Sequence, residues 1–150
     1  MQFYVKDIMS TDLITVKENA SIRDAIKILS NNDVSGLPVL DQEGVLVGVV
    51  SARDIIENQS SHSFYTFPFR KDVELQFLEN SKFFDDPVAN IMSKDLFTIE
   101  PDATVAKMAK IMYEKKIHRL LVAEYDKLVG VVTTFDVLKL LATSDESVVI

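Results

Sequence analysis

The chain has 150 residues, 47% of them hydrophobic, which is enough for one compact domain or for two half-size units sharing a core, and too apolar for disorder throughout. A formal net charge of -7 removes the global basic field that would hold nucleic acid or an anionic lipid surface. No apolar run reaches the ~18 residues of a membrane span, the opening Met1-Gln2-Phe3-Tyr4-Val5-Lys6-Asp7 has no signal-peptide pattern, and the absence of cysteine excludes disulfides and thiolate zinc sites. A soluble, cytoplasmic protein with neither a nucleic-acid nor a membrane partner is the expectation.

In chain order, Leu13-Ile14-Thr15-Val16 reads as a short strand. Ser21 caps a helix, with Asp24 three residues on completing a capping box, and Ile22, Ala25, Ile26 and Leu29 recur at helical spacing. Leu37 to Leu40 and Val45 to Val50 are strands around a glycine-containing turn, and Ser51 opens a second helix through Ile55 and Ile56. A connector follows that begins as a solvated loop and then becomes aromatic: Phe64, Tyr65, Phe67, Phe69, Phe77, Phe83 and Phe84, with a short helix predicted over Val73 to Asn80. These rings either cover edges of the flanking units or form a partner-binding, dimer-forming or lid-like patch. Then come a strand at Phe97-Thr98-Ile99, a helix after Thr104 turning Val105, Met108, Ala109 and Met112 inward, strands at Leu120 to Ala123 and Leu128 to Val132, and a last helix from Thr134 to Leu141.

The order strand, helix, strand, strand, helix occurs twice because the chain repeats itself. VKDIMSTDLITV (5–16) answers VANIMSKDLFTI (88–99), and LVGVVSARDI (46–55) answers LVGVVTTFDV (128–137). One residue is deleted between these landmarks, in the turn where Asp41-Gln42-Glu43-Gly44 becomes Glu124-Tyr125-Asp126-Lys127. A deletion in a turn is tolerated, whereas one in a strand flips every side chain beyond it. The division is repeat 1 at 1–58, connector at 59–87, repeat 2 at 88–142 and a tail at 143–150. Each copy is about 54 residues, marginal as a lone domain, so the two are read as one cooperative α+β (α/β-like) unit with helices packed on small sheets.

Two features carry candidate chemistry. Ser51-x-x-Asp54 and Thr133-x-x-Asp136 place a hydroxyl and a carboxylate at a helix start in both copies. A carboxylate there can accept two hydrogen bonds from the cis-diol of a ribose, while the hydroxyl and the free N–H groups can receive a phosphate or sugar oxygen. The plainer reading is a capping box. The comparison with Ser21-x-x-Asp24, whose counterpart Thr104-x-x-Lys107 has lost the acid, tilts the retained Asp54 and Asp136 toward a role beyond capping. The second feature is Lys115-Lys116-Ile117-His118-Arg119, with Lys107 and Lys110 nearby: an anion site, or a solvated basic helix end. Repeat 1 has Ser35-Gly36 there, so repeat 2 supplies most of the charge to any phosphate. Thr15 and Thr98, ending the first strand of each copy, are available to a base or ribose edge, or are ordinary strand threonines.

On the opening Ile-Met-Ser, the Leu-x-Thr-Val/Ile strand, the Leu-Pro-Val-Leu strand of repeat 1 and the Gly-Val-Val-Ser/Thr-x-x-Asp ending, both copies resemble the CBS domain, named for cystathionine beta-synthase and usually found in pairs called Bateman modules. The resemblance implies two β-α-β-β-α repeats paired about a pseudo-two-fold axis, two clefts between them, and AMP, ADP, ATP or S-adenosylmethionine as ligand. It implies that Asp54 and Asp136 hold the ribose, that Ser51 and Thr133 contact ribose or phosphate, and that His118 and Arg119 approach phosphates. It also implies association of two pairs into a disc-like homodimer. Two departures, Ser35-Gly36 in place of a basic pair and Leu121 in place of the proline found at Pro38, argue against two equal sites. No cofactor, metal cluster or phosphate-loop motif is evident. The expected function is therefore a non-enzymatic, nucleotide-responsive module regulating an unknown separate protein. A ligand-free dimerisation scaffold built on the aromatic connector is the alternative, and a nucleotide hydrolase a third that no base–nucleophile pair supports.

Overall fold

The computed structural model describes residues 2–60 and 82–144. In chain order the elements are α1 (Val5–Ile8), β1 (Val16–Lys17), α2 (Ile22–Asn32), β2 (Gly36–Leu40), β3 (Leu46–Ser51), α3 (Ala52–Ser60), β4 (Thr98–Ile99), α4 (Val105–Lys115), β5 (Arg119–Glu124), β6 (Lys127–Thr133) and α5 (Thr134–Thr143), with short 3-10 turns at Lys82–Asp85 and Val88–Asn90. They form two compact units: Ile14–Asp95, built on repeat 1, and Met1–Leu13 with Leu96–Ile150, built on repeat 2. The fold is mixed α+β with two small sheets.

In the first-repeat unit the sheet order is β1-β2-β3, with β1 parallel and β3 antiparallel to β2. Side chains alternate along each strand. Leu37, Val39 and Val50 turn to one face and are fully buried against Ile22, Ala25 and Leu29 of α2 and Ile55 of α3. Gly36, Pro38, Val49 and Ser51 belong to the other, outer face. The second-repeat unit repeats this as β4-β5-β6. There Leu120, Val122 and Val132 pack with Val105, Met108 and Met112 of α4, while α5 sends only partly buried Val137 and Leu140 toward that core.

The first strands differ from expectation by a residue. Thr15 precedes β1, and Thr98 begins β4 instead of ending it. The cause lies in the neighbouring strand: the N–H of Leu121 donates to the carbonyl of Phe97 at 3.3 Å, pairing Thr98 with Leu121. Pro38 at the matching place has no N–H to give, so β1 starts at Val16. The deleted turn is the expected one: Tyr125 (φ 52°) and Asp126 (φ 63°) make a two-residue hairpin with both central residues left-handed. The longer repeat-1 turn uses Gly44 (φ 84°) and the Asp41 carboxylate, which accepts from the N–H groups of Glu43 and Val45.

The box predicted at α2 is only half made. Ser21 Oγ accepts from Asp24 N at 3.0 Å, but Asp24 is exposed and its carboxylate does not return to the Ser21 N–H. Thr104 makes the same single bond to Lys107 N at 3.1 Å, which is why a lysine is tolerated there.

Each repeat's opening segment is built into the unit of the other repeat. Val5 is fully buried in the second-repeat core and Val88 in the first-repeat core. Ser10 pairs through both backbone groups with Val131 (2.8 and 2.9 Å), and Ser93 likewise with Val49 (2.8 and 2.9 Å), covering the free edges of β6 and β3. The end of the connector joins in: Phe84 is fully buried and meets Phe83 edge-on at 5.2 Å between ring centroids. Phe64, Tyr65, Phe67, Phe69, Phe77 and the helix predicted at Val73 to Asn80 lie outside the described residues. Among the described residues no helix is long and apolar enough to cross a membrane.

The close approach of these segments requires glycine. A Cβ at Gly48 would lie 2.7 Å from Met92 Sδ and 2.9 Å from the Ser93 carbonyl, and one at Gly130 2.7 Å from Met9 Sδ and 3.0 Å from the Ser10 carbonyl. The methionine end can move aside, but the backbone carbonyl cannot without breaking the edge pairing. Gly48→Ala or Gly130→Ala is therefore expected to destabilise the protein by about 1–3 kcal/mol. The expectation is checked by urea unfolding, in which Gly36→Ala serves as the tolerated control because its nearest neighbour is at 3.6 Å.

Candidate functional site

The strand-to-helix junctions β3–α3 and β6–α5 are each held by reciprocal side-chain to backbone bonds. At the second, Asp136 Oδ2 accepts from the Thr133 N–H (2.8 Å) and hydroxyl (3.2 Å), while Thr133 Oγ1 accepts from the Asp136 N–H at 3.4 Å. At the first, Asp54 Oδ2 accepts from the Ser51 N–H and hydroxyl, both 2.9 Å, and Ser51 Oγ accepts from Asp54 N at 3.1 Å. The capping reading is thus correct for one oxygen of each carboxylate. Oδ1 of both aspartates has no protein hydrogen bond among the described residues, and both side chains are only half-buried. Each carboxylate is oriented by its cap and retains acceptor capacity for a hydroxyl pair.

The antiparallel register then selects the neighbours. Arg119 sits directly across from Thr133, and the Thr134 N–H donates to the His118 carbonyl at 3.0 Å. The start of β5 is thereby tied to the start of α5, which brings Arg119 beside the Thr133–Asp136 pair. Arg119 is exposed and has no ion pair among the described residues. In the first-repeat unit Gly36 faces Ser51 in the same register, and Ala52 N donates to the Ser35 carbonyl at 3.0 Å. The backbone frame is duplicated, while the charge is present only in the second copy.

The predicted basic cluster is dispersed. Lys107 lies in the first turn of α4 and Lys115 in its last, separated by about 12 Å of helical rise. Lys115 Nζ stands over the Phe97 ring at 5.2 Å, and Lys110 pairs with Glu114 at 4.0 Å. Lys116 is the left-handed C-cap of α4 (φ 55°), matching Asp33 (φ 52°) at the end of α2. His118 departs from Arg119: it lines a groove between α4 and α5 together with Thr134, whereas Arg119 belongs to the outer sheet face with Thr133. The structure therefore brings together Thr98, Arg119, Thr133 and Asp136, with Thr98 one row along on the same face, and leaves His118 outside that group. In the first-repeat unit Ser51 and Asp54 stand together, with Thr15 just ahead of β1.

Sequence reading did not single out the apolar rows between these polar groups. Thr98, Leu121 and Val131 are directly paired across the second sheet, and Pro38 and Val49 across the first. Strand alternation identifies them once the buried face is known. Leu121 is only 7% exposed, so this row is largely covered in the second-repeat unit. Among the described residues no group of His, Asp and Glu is placed to hold a metal ion.

The chain is 29% identical over 152 residues to an uncharacterized protein of Methanocaldococcus jannaschii, covering 91% of this chain and 90% of that one. It spans 32%, 24%, 14% and 43% of the length of other curated relatives it matches. Among solved structures it resembles CBSX2 in complex with AMP (TM-score 0.71, 30% identity, 93% of this chain and 96% of that one). It also resembles the CBS domain pair of protein MJ0100 in complex with 5'-methylthioadenosine and S-adenosyl-L-methionine (TM-score 0.69, 27% identity, 95% and 98%). The CBS domain model matches residues 5–61 and again 88–143, so the chain belongs to the CBS domain family and carries two copies of it.

Proposed function

We propose that this CBS pair is an adenine-nucleotide sensor that performs no chemistry of its own and regulates a separate protein, in the form of a cytoplasmic homodimer. The observation that carries the reading is the placement of Arg119 across from Thr133, beside a carboxylate whose Oδ2 is held by the cap and whose Oδ1 is open. In this reading Asp136 accepts the two ribose hydroxyls and Arg119 takes a phosphate in its planar fork. Asp54 and Ser51 offer the same sugar contact with no arginine at Gly36, so the second-repeat unit binds phosphate more tightly. AMP, ADP or ATP fits this charge better than S-adenosylmethionine, and the two adenine-ligand complexes among the similar structures support the ligand class. The family's setting as the smaller part of longer relatives supports a regulatory role.

One observation favours a ligand-free scaffold instead: both carboxylates are already engaged in caps. Thermal unfolding with AMP, ADP, ATP and S-adenosylmethionine separates the readings. A binder at a hundredfold excess over its Kd adds roughly 2.7 kcal/mol, several degrees in a domain this size. No shift with any of the four leaves the scaffold, and turnover of ATP by the pure protein would sink the non-catalytic reading.

Arg119→Ala is expected to weaken AMP about tenfold to a hundredfold, as loss of a charge-assisted bidentate contact does. It should barely change 5'-methylthioadenosine, which has no phosphate; calorimetry with both ligands checks this. Asp136→Ala should lower stability by about 1 kcal/mol through its cap and also abolish the nucleotide shift. Asp7→Ala removes a similar cap, the 2.8 Å bond from Tyr4 N, and should lower stability while leaving the shift intact.

A further inference from the structure

The chain has five methionines and no cysteine, so its side-chain sulfur chemistry rests on thioethers alone. The four among the described residues divide into two pairs. Met108 and Met112 are buried in the second-repeat core, at 0% and 4% exposure. Met9 and Met92 occupy matching places in the two copies, each just before the serine that pairs with a sheet edge, and both stay partly open to solvent. Each packs against the core of its unit while its sulfur lies close over a glycine, Gly130 for Met9 and Gly48 for Met92.

We propose that Met9 and Met92 are duplicated oxidation sites, at which a peroxide frees the opening segments from the sheet edges they cover. The thioether sulfur attacks one peroxide oxygen. The O–O bond breaks and an S–O bond forms; sulfur loses an electron pair, and the other oxygen leaves as water with the displaced proton. The product is a polar group with a strong acceptor oxygen where an apolar side chain was packed. Neither site has room or a donor for it. A Cβ at either glycine would come within 2.7 Å of the sulfur, so the sheet side is closed. The backbone N–H groups beside Met9 are already given to carbonyls: its own to Val5, that of Ser10 to Val131 and that of Val131 to Ser10. Met92, Ser93 and Val49 repeat this with Val88, Val49 and Ser93. The sulfoxide oxygen must therefore turn out to water, which uncovers the glycine and loosens the edge pairing. Val49 and Val131 stand two residues before the caps Ser51 and Thr133, so a loosened edge also slackens the approach to both strand-to-helix junctions. With no cysteine in the chain, return to the thioether needs an external dithiol-dependent sulfoxide reductase.

Hydrogen peroxide titrated onto the full chain tests this, with peptide mapping to place each added oxygen and hydrogen exchange read at the amides of Ser10, Val49, Ser93 and Val131. Met9 and Met92 are expected to gain one oxygen each while Met108 and Met112 remain thioethers. The four amides should then exchange about tenfold faster or more, as a locally opened segment does, and a methionine sulfoxide reductase should restore the slow rates. The double variant Met9→Leu with Met92→Leu keeps apolar bulk and Met1, and its four amides should stay slow under peroxide. Met9→Gln with Met92→Gln puts a polar head in the same places and should show the fast rates without oxidant. Oxygen reaching Met108 and Met112 as quickly as Met9 and Met92 overturns the assignment of the sites. Sulfoxides at 9 and 92 with unchanged exchange, slow rates in the glutamine variant, or a leucine variant that loosens under peroxide as the wild type does, overturn the release.

Discussion

Everything at the candidate site depends on the reciprocal hydrogen bonds at the two strand-to-helix junctions. A helix start leaves N–H groups without partners, and here the side chains of Ser51 with Asp54 and Thr133 with Asp136 satisfy them. The same bonds fix the rotamer of each aspartate, spend one carboxylate oxygen and leave the other available. Capping and binding are therefore not exclusive alternatives: the cap pre-orders the group that a ligand would use, so less freedom is lost when a diol arrives. The half-made caps at Ser21 and Thr104 show that helix formation alone demands less.

A second constraint is the exchange of opening segments between repeats. Each three-stranded sheet has an edge, and each small core lacks a side. Residues from the start of the other repeat complete both, with Val5 and Val88 in the cores and Ser10 and Ser93 on the edges. A half of about 54 residues has too little interior to stand alone. The exchange supplies some of what is missing and makes the two halves depend on one chain. Glycine at 48 and 130 is what lets the methionines approach so closely.

The regular elements were legible because they follow from local periodicity and were written twice. The deleted residue fell in a turn, where the hairpin shortened without altering the strands. The exchange was not legible: an opening segment that packs on its own repeat and one that packs on the other leave the same apolar pattern, since the two repeats are nearly alike. The displaced threonines had a local cause, the missing N–H of Pro38, visible only once the strand partner was known. The box expected at Asp24 failed because the motif cannot distinguish an exposed acid from one held against the backbone. The basic run failed as a cluster because a helix and a left-handed cap separate its members, and His118 precedes β5 and lines the groove between α4 and α5 while Arg119 opens the strand. Arg119 itself became meaningful through register, a long-range property, when it was found opposite Thr133.

The divergence of the two copies is concentrated around α5. Its first turn carries the Asp136 carboxylate, and the strand residue opposite its cap is Arg119. Along the rest of the same helix run Phe135, Leu138 and Leu141, exposed to solvent. The first-repeat counterpart, α3, keeps the cap, loses the arginine partner and carries an exposed Arg53–Glu57 pair instead of an apolar ridge. The Asp136 carboxylate and an exposed apolar ridge thus share one helix of ten residues, with Arg119 on the strand beside its cap.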